Sequence, residues 1–514
     1  MVIAKGPMAS PGVIGFNAPV GARDTPHSYF SDTYWGGMEL GDPRLIRLLT
    51  HRAADVIGDL ETLGVVFTRK RSGYHLMRPL GCSQPRLVHQ ANCTGRLSLR
   101  LMKRELKASG IDIRNGVSAI ELLTSKGVVN GVFAADGRSQ ELMLIEAGAV
   151  VMATGGGGGL FAGATYPSGL VGDGYAMAFQ VGAELVNMEF IQFEPCHCIY
   201  PRRLGLSTTL LGFGGQLRNT LGQRFILAKY PRGEGDAPKD VLARMIGLEI
   251  WEGRGTTHGG VFCDLRKVPA RVITEDHNAF YRLFLKNGID LQHDVFEVAP
   301  APHTFLGGVA ITDRCEAGVP GLFIAGEMVG NLHGANRLGG NAGSECYVFG
   351  AIAGSNAARW SRRQEGGGLA TGRVREIERL ACTLVKGQRR QVWNIDMAKV
   401  REVMAAKLGV VREEGELSSA SAELRRIERG ALATEVKTIP DFLARAELIN
   451  MTLVGSMVAE SAQRRRESRG VHFRIDYPQR NDALWQKTIG FVSRRGRIAV
   501  ILRDKPKLGK YGAA

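Results

Sequence analysis

The chain has 514 residues, 44% of them apolar, enough to bury two or three domain cores. Its eight cysteines include no CxxC pair, so neither a zinc ribbon nor an iron–sulfur binding run lies within it. Lys and Arg number 66 against 50 Asp and Glu, for a net charge of +16. The basic residues are spread through amphipathic segments rather than gathered with aromatics, so nucleic acid is not the expected partner. Steering of anionic substrates or docking to an acidic partner accounts for the charge as well. Few cysteines and no signal peptide point to a reducing cytoplasm, and no apolar run is expected to reach membrane-spanning length.

Residues 1–6 read as the tail of a strand, VIAKG, entering a loop. A helix is signalled over residues 42–63, with Asp42 as N-cap, Pro43 in the first turn, apolar Leu45, Leu48, Leu49, Ile57 and Leu60, and Gly64 as the stop. The segment 84–95 (QPRLVHQANCTG) precedes a second helix to Ser109, then strands around Val117 and Val128 joined by a Lys126-Gly127 turn. His89 suits a neighbour of a bound ligand and a structural loop histidine equally. Residues 149–159 (AVVMATGGGGG) are a strand running into glycines. Asp173 opens a helix, where an N-cap is the plain reading. Cys196-His197-Cys198 is the one tight cysteine–histidine cluster, and a structural role is favoured over a metal.

Residues 301–358 organise the rest. A short buried strand at 322–325 ends in Gly326-Glu327, and a glycine- and asparagine-rich loop follows with His333, Asn336 and Arg337. A helix then starts near Asn341 and Ala342, with Gly343, Gly350 and Gly354 along one face. An acidic residue at the end of a buried strand suits the hydroxyls of a ribose or ribityl chain. Glycines admit a flat ring or a pyrophosphate close to the backbone, and a helix N-terminus offers free N–H groups to an anion. Beyond Arg359 the composition turns helical and charged. Pro440 begins a long helix, which runs to the ordered string Arg466-Glu467-Ser468-Arg469-Gly470 with His472, Arg474, Asp476, Pro478, Arg480 and Asp482.

The stretch 301–358, the ATGG element and the RESRG string together resemble the fumarate reductase/succinate dehydrogenase flavoprotein family, whose relatives include L-aspartate oxidase and the adenylylsulfate reductase flavoprotein. The resemblance implies an α/β fold: a Rossmann-like FAD-binding domain with an inserted α+β capping domain and a C-terminal helical domain. The expected divisions are 1–194 and 302–359 for the FAD-binding domain, 195–301 for the cap, 360–482 for the helices and 483–514 for a strand and basic tail. The family opens with a strand, a GxGxxG turn and a helix; that first βαβ unit is not seen here. A late start is the expected reason, with a second chain supplying the unit, or impaired FAD binding, kept open.

By the same resemblance Lys5, Gly6, Ala153, Thr154, Gly155, Gly156, Asp173, Glu327, His333, Arg337, Asn341 and Ala342 are expected along the FAD. The loop 10–20 holds no histidine at the place where some members link FAD covalently, so FAD is expected to bind non-covalently. His303 and Arg337 match the family's substrate carboxylate clamps. The family's threonine–glutamate–arginine relay (TEGxRGEGG) is replaced: Thr208 stands for the glutamate and Leu211 for the arginine. Glu194 stands for the QxHP histidine and Lys239 for the proton-donating arginine, which leaves both as candidate acid or base, a surface lysine being the plain alternative for Lys239. The expected enzyme is therefore an FAD-dependent oxidoreductase acting on a small anion, with strict fumarate reductase or succinate dehydrogenase activity in doubt. Electrons are expected to pass to an iron–sulfur subunit, with any membrane link through a partner. The alternatives are an L-aspartate oxidase-like or adenylylsulfate reductase-like enzyme, or a split, non-catalytic subunit.

Overall fold

The computed structural model describes residues 1–6, 13–71, 73–90, 94–364, 368–494, 496–505 and 508. The first residues of the 10–20 loop, residues 91–93 of the 84–95 segment and most of the basic tail lie outside them. Two short parallel pairs mark the region expected to bind the nucleotide. Strand Val2–Ala4 runs beside Ile113–Asn115, and Val150–Met152 beside Leu322–Ile324. Parallel strands need crossovers, and the chain supplies them with helices and with a long insertion. A three-stranded antiparallel meander, Val117–Ser125, Val128–Asp136 and Leu142–Glu146, follows the first pair. Its first turn is Lys126-Gly127, with φ of 50° and 78°, the left-handed pair that a tight hairpin requires.

Helix Pro43–Thr62 starts where the sequence signals it. Asp42 accepts a bond from the Arg44 N–H at 2.9 Å, and Leu45, Leu49, Ile57 and Leu60 are buried in the main core. Helix Asp173–Gln180 differs from its expectation. Its cap is Gly172 at φ 86°, and no side chain caps its N-terminus. The Asp173 carboxylate reaches outward instead, to Lys5 Nζ at 2.8 Å and Asn450 Nδ2 at 2.9 Å.

The insertion leaves along one long strand, Ile191–Tyr200, and returns along another, Val295–Phe305, antiparallel to the first. With Leu204–Gly205, Gln216–Arg218 and Val261–Asp264 these make a five-stranded sheet. Cys196, Cys198, Leu217, Ile246, Cys263, Phe284 and Phe296 fill a separate core beneath it. The two cluster cysteines are thus packing residues, and burial pushes the Cys198 thiol up to about 11.

Helices Thr371–Thr383, Gln391–Lys407, Glu414–Ala433 and Ile439–Arg464 form the C-terminal part. The last of these corrects the expectation about apolar runs: by length and composition it is able to cross a membrane, with a mean hydropathy of 1.3 over its best window. Its place here is central rather than peripheral. It buries Leu448, Met451, Val454 and Val458, and its Asp441 accepts the Trp393 indole N–H at 2.7 Å. The segment after residue 482 is also richer than a single strand. Hairpin Lys487–Arg494/Arg497–Asp504 joins a four-stranded sheet through Leu185–Val186.

The RESRG string folds into a buried ion network. Arg465 meets Glu189 at 2.5 Å and Glu467 at 3.1 Å, and Arg469 meets Glu467 at 2.7 Å, all of these side chains being fully buried. Just beyond, the Val471 N–H donates to the Ala335 carbonyl at 3.0 Å. Gly470, at φ 54°, presses so close that a Cβ there would lie 2.1 Å from the same oxygen. The loop carrying Asn336 and Arg337 is therefore held from behind by the C-terminal segment.

Candidate active site

The two long strands that carry the insertion in and out also carry two of the expected residues. Glu194 pairs with Ala301 in the ladder, and His303 follows two residues on, at an irregular step opposite Gln192 and Phe193. Helix Lys239–Trp251 packs on this strand pair and sets the Lys239 ammonium 2.7 Å from Glu194 Oε2. Thr208, at the start of a 3-10 segment, donates to Glu194 Oε1 at 3.1 Å. Lys239 is thus no surface lysine: it is half-buried and paired. Burial alone would oppose the charge on Glu194, but Lys239 and His303 outweigh it and hold the carboxyl below its usual range.

His303 is half-buried, and its Nδ1 lies 2.9 Å from Thr165 Oγ1. Burial lowers its pKa to about 4; Arg337 and Lys239 reinforce the shift and Glu194 opposes it. The ring is neutral at pH 7.

Arg337 is buried. Nη1 donates to the Leu338 carbonyl at 3.2 Å and Nη2 to Thr304 Oγ1 at 3.4 Å, while Nε has no partner among the described residues. Gln192 braces the loop, donating to the Arg337 carbonyl at 2.8 Å and to Asn336 Oδ1 at 3.0 Å. Glu194, Lys239, His303 and Arg337 so converge where the insertion meets the nucleotide-binding elements.

Behind Arg337 the expected cofactor residues take up two kinds of position. Ala153 and Thr154 are exposed at the end of their strand, Gly155 follows at φ 75°, and Gly6 has open space around it. Ala342 is half-buried at the start of helix Asn341–Ser361. Other residues are already engaged. Asn341 turns its side chain inward, accepting from Asn17 at 2.7 Å and Tyr29 at 2.9 Å. His333 Nε2 meets Glu345 at 2.8 Å, both residues buried, leaving His333 Nδ1 without a partner among the described residues. Lys5 pairs with Asp173 and, at 3.3 Å, with Glu447 of the long C-terminal helix.

Glu327 accepts from the Phe305 N–H at 2.8 Å and from the Tyr166 hydroxyl. Burial pushes it up to about 7, with the Tyr166 and Phe305 bonds pulling the other way. Of the glycines along the helix face, Gly343 allows a close approach, a Cβ there lying 2.7 Å from the Phe16 ring; Gly350 and Gly354 face open space.

Thr165, Tyr166, Gln192 and Glu345 are polar groups of this site that the sequence alone does not single out. Glu345 leaves a trace, an acid four residues after Asn341 on one helix face. His89 is buried, with neither ring nitrogen partnered among the described residues, 5.2 Å from the His75 ring.

Comparison with known proteins places the chain in a family. The FAD binding domain family matches residues 2–342, and the fumarate reductase flavoprotein C-terminal family matches residues 397–504. The chain is 35% identical to one of the subunits of the fumarate reductase (CoM/CoB) of Methanothermobacter marburgensis, over 92% of this chain and 88% of that one. It is 31% identical to the L-aspartate oxidase of a Nostoc species, over 92% and 85%. Among solved structures, Mycobacterium smegmatis Sdh1 in complex with UQ1 superposes with a TM-score of 0.86 at 30% identity, covering 98% of this chain and 90% of that one. A quinol-fumarate reductase with menaquinol molecules gives 0.87 at 27%, covering 98% and 93%. Adenylylsulfate reductase from Archaeoglobus fulgidus, at 17% identity, shares the fold.

The residues present fit a flavin dinucleotide. An open strand end with a left-handed glycine admits a phosphate or a ring, and the unpartnered Arg337 Nε and His333 Nδ1 are buried polar groups that a ligand would satisfy. The chain belongs to the fumarate reductase/succinate dehydrogenase flavoprotein family and is an FAD-dependent oxidoreductase.

Proposed function

We propose that the enzyme exchanges a hydride between its FAD and a small carboxylate, in the seam between the insertion and the nucleotide-binding elements. The observation that carries this reading is the convergence of Arg337, His303, Lys239 and Glu194 on that seam. The FAD, when bound, supplies the hydride acceptor or donor. The backbone of Gly6, Ala153, Thr154, Gly155, Gly156 and Ala342 would hold it, with Glu327, His333 and Asn341 fixing the surrounding loop and Lys5 and Asp173 closing the nucleotide end.

Arg337 grips the substrate carboxylate, for which a guanidinium fork is suited. His303, neutral and tethered through Nδ1 to Thr165, offers its Nε2 edge to the same ligand. Lys239 passes a proton to or from the carbon beside the one that exchanges hydride, and Glu194 holds the ammonium in place. Electrons leave or arrive through an iron–sulfur partner; the likeness to one subunit of a fumarate reductase supports this, and cysteines without a CxxC run are compatible with it. A second reading, oxidation of an amino acid, draws support from the L-aspartate oxidases among the relatives.

The test is anaerobic. Reduced holoenzyme is mixed with 2-enoates, and oxidised holoenzyme with saturated carboxylates and with L-aspartate, following the visible flavin band. Lys239→Met should slow turnover at least about 100-fold while flavin content stays unchanged. Turnover at the original rate would remove Lys239 from the proton path.

A further inference from the structure

The charges that face the substrate seam do not suit a dianion. A carboxylate leaving water for a half-buried site needs a cation or several donors to replace its hydration. Arg337 provides one such cation, with Nε free. The second cation of the seam, Lys239, is spent. Its ammonium lies 2.7 Å from Glu194, whose other oxygen takes the Thr208 hydroxyl, so the pair contributes no net charge.

The other charged groups nearby leave this balance as it stands. Arg203 is exposed to solvent, with Nη1 bonded to the Gly163 carbonyl at 3.2 Å, and water screens a cation in that position. Asp240 lies beneath Asn336 and adds no positive charge. Two histidines complete the set: burial, with Arg337, Lys239 and His197 beside it, disfavours a charge on His303 against the pull of Glu194, and burial and Arg203 disfavour one on His197. At most one uncompensated positive charge is left, that of Arg337, because Glu327, which feels it, is pushed up to about 7 by burial and keeps part of its proton at neutral pH.

Resting on the proposed carboxylate reading, we infer that the site selects a substrate of net charge −1, and that Glu194 is the residue that turns away an unpaired second carboxylate. A second carboxylate on an extended four-carbon substrate meets the Glu194–Lys239 pair instead of a free cation. It must then either compete with Glu194 for Lys239 or lie beside a like charge, and both weaken binding. A methyl or other uncharged end meets no such penalty. Substrates with a compensating ammonium stay within the same rule.

The experiment uses holoenzyme and two probes matched in shape, crotonate and fumarate, with butyrate and succinate as the saturated pair. Binding is read from the perturbation of the oxidised flavin's visible band, which needs no turnover. Crotonate is expected to bind at least ten-fold more tightly than fumarate, and Glu194→Gln to narrow that ratio or reverse it. Fumarate binding the unaltered enzyme as tightly as crotonate overturns the inference while leaving the carboxylate reading in place, as does a ratio unchanged in Glu194→Gln. If none of the four acids perturbs the flavin, the carboxylate reading itself falls. The comparison on the unaltered enzyme stands alone should the variant fold poorly.

Discussion

Two half-buried titratable groups of the site pull the pH dependence of stability in opposite directions. Glu327 is pushed up to about 7 by burial, whereas in the unfolded chain a glutamate ionises near about 4.3. Between those values the folded protein keeps a proton that the unfolded chain releases, so stability from this group is lost as pH rises through the window. His303 behaves in the opposite sense. Its folded pKa of about 4 lies below the usual value of about 6.5, so the unfolded chain binds the extra proton and stability grows with pH between the two. Glu327→Gln keeps an acceptor for the Phe305 N–H and removes only the first effect. Melting temperatures taken at about pH 5 and about pH 8 should fall less in the variant, or rise, relative to the unaltered protein. Parallel behaviour of the two proteins would show that Glu327 is not protonated in the fold.

Among the elements, helix Asn341–Ser361 depends on how it begins. Gly340 caps it at φ 86°, and a Cβ there would lie 2.3 Å from Asn17 Oδ1. Gly340→Ala should cost about 1–3 kcal/mol from backbone strain and the displaced Asn17–Asn341 contact. Denaturant melts would measure the loss; an unchanged midpoint would mean that the turn relaxes freely. The same helix shows why parts of this protein are legible in its sequence. Its start is readable because glycines and asparagines have few other uses after a buried strand, and the Pro43–Thr62 helix because Asp-Pro and an apolar stripe act locally. Asp173 misleads because a local cap competes with partners on Lys5 and Asn450, which are remote in sequence and so invisible to pattern. The apolar length of helix Ile439–Arg464 is masked by polar residues such as Asp441 and Asn450, which interrupt the run yet find partners in the fold. Lys239 resembles a surface residue for a similar reason: nothing beside it in sequence announces Glu194.

At the scale of the whole molecule, the Glu189–Arg465–Glu467–Arg469 network ties the C-terminal segment to the strands that lead into the insertion. Glu467 also accepts the Asn481 N–H at 2.8 Å. Replacing it with glutamine leaves two buried guanidinium groups sharing less negative charge. Glu467→Gln should cost about 3–5 kcal/mol, the range for breaking a buried ion pair on one side. Urea denaturation followed at two probes, far-ultraviolet circular dichroism and tryptophan fluorescence, would measure it; a loss under about 1 kcal/mol would place the network in the class of pairs that merely break even.

The bond from Val471 to Ala335 has a consequence for biosynthesis. The ribosome makes the Arg337 loop well before the segment that holds it from behind. While residues 469–474 are still inside the exit tunnel, the nucleotide-binding strands have the means to pair, but the Arg337 loop has no backing. The final form of that loop is therefore set late, by the arrival of a stretch remote from it in sequence. A nascent chain halted before that stretch would hold its nucleotide elements and leave the Arg337 loop unbacked.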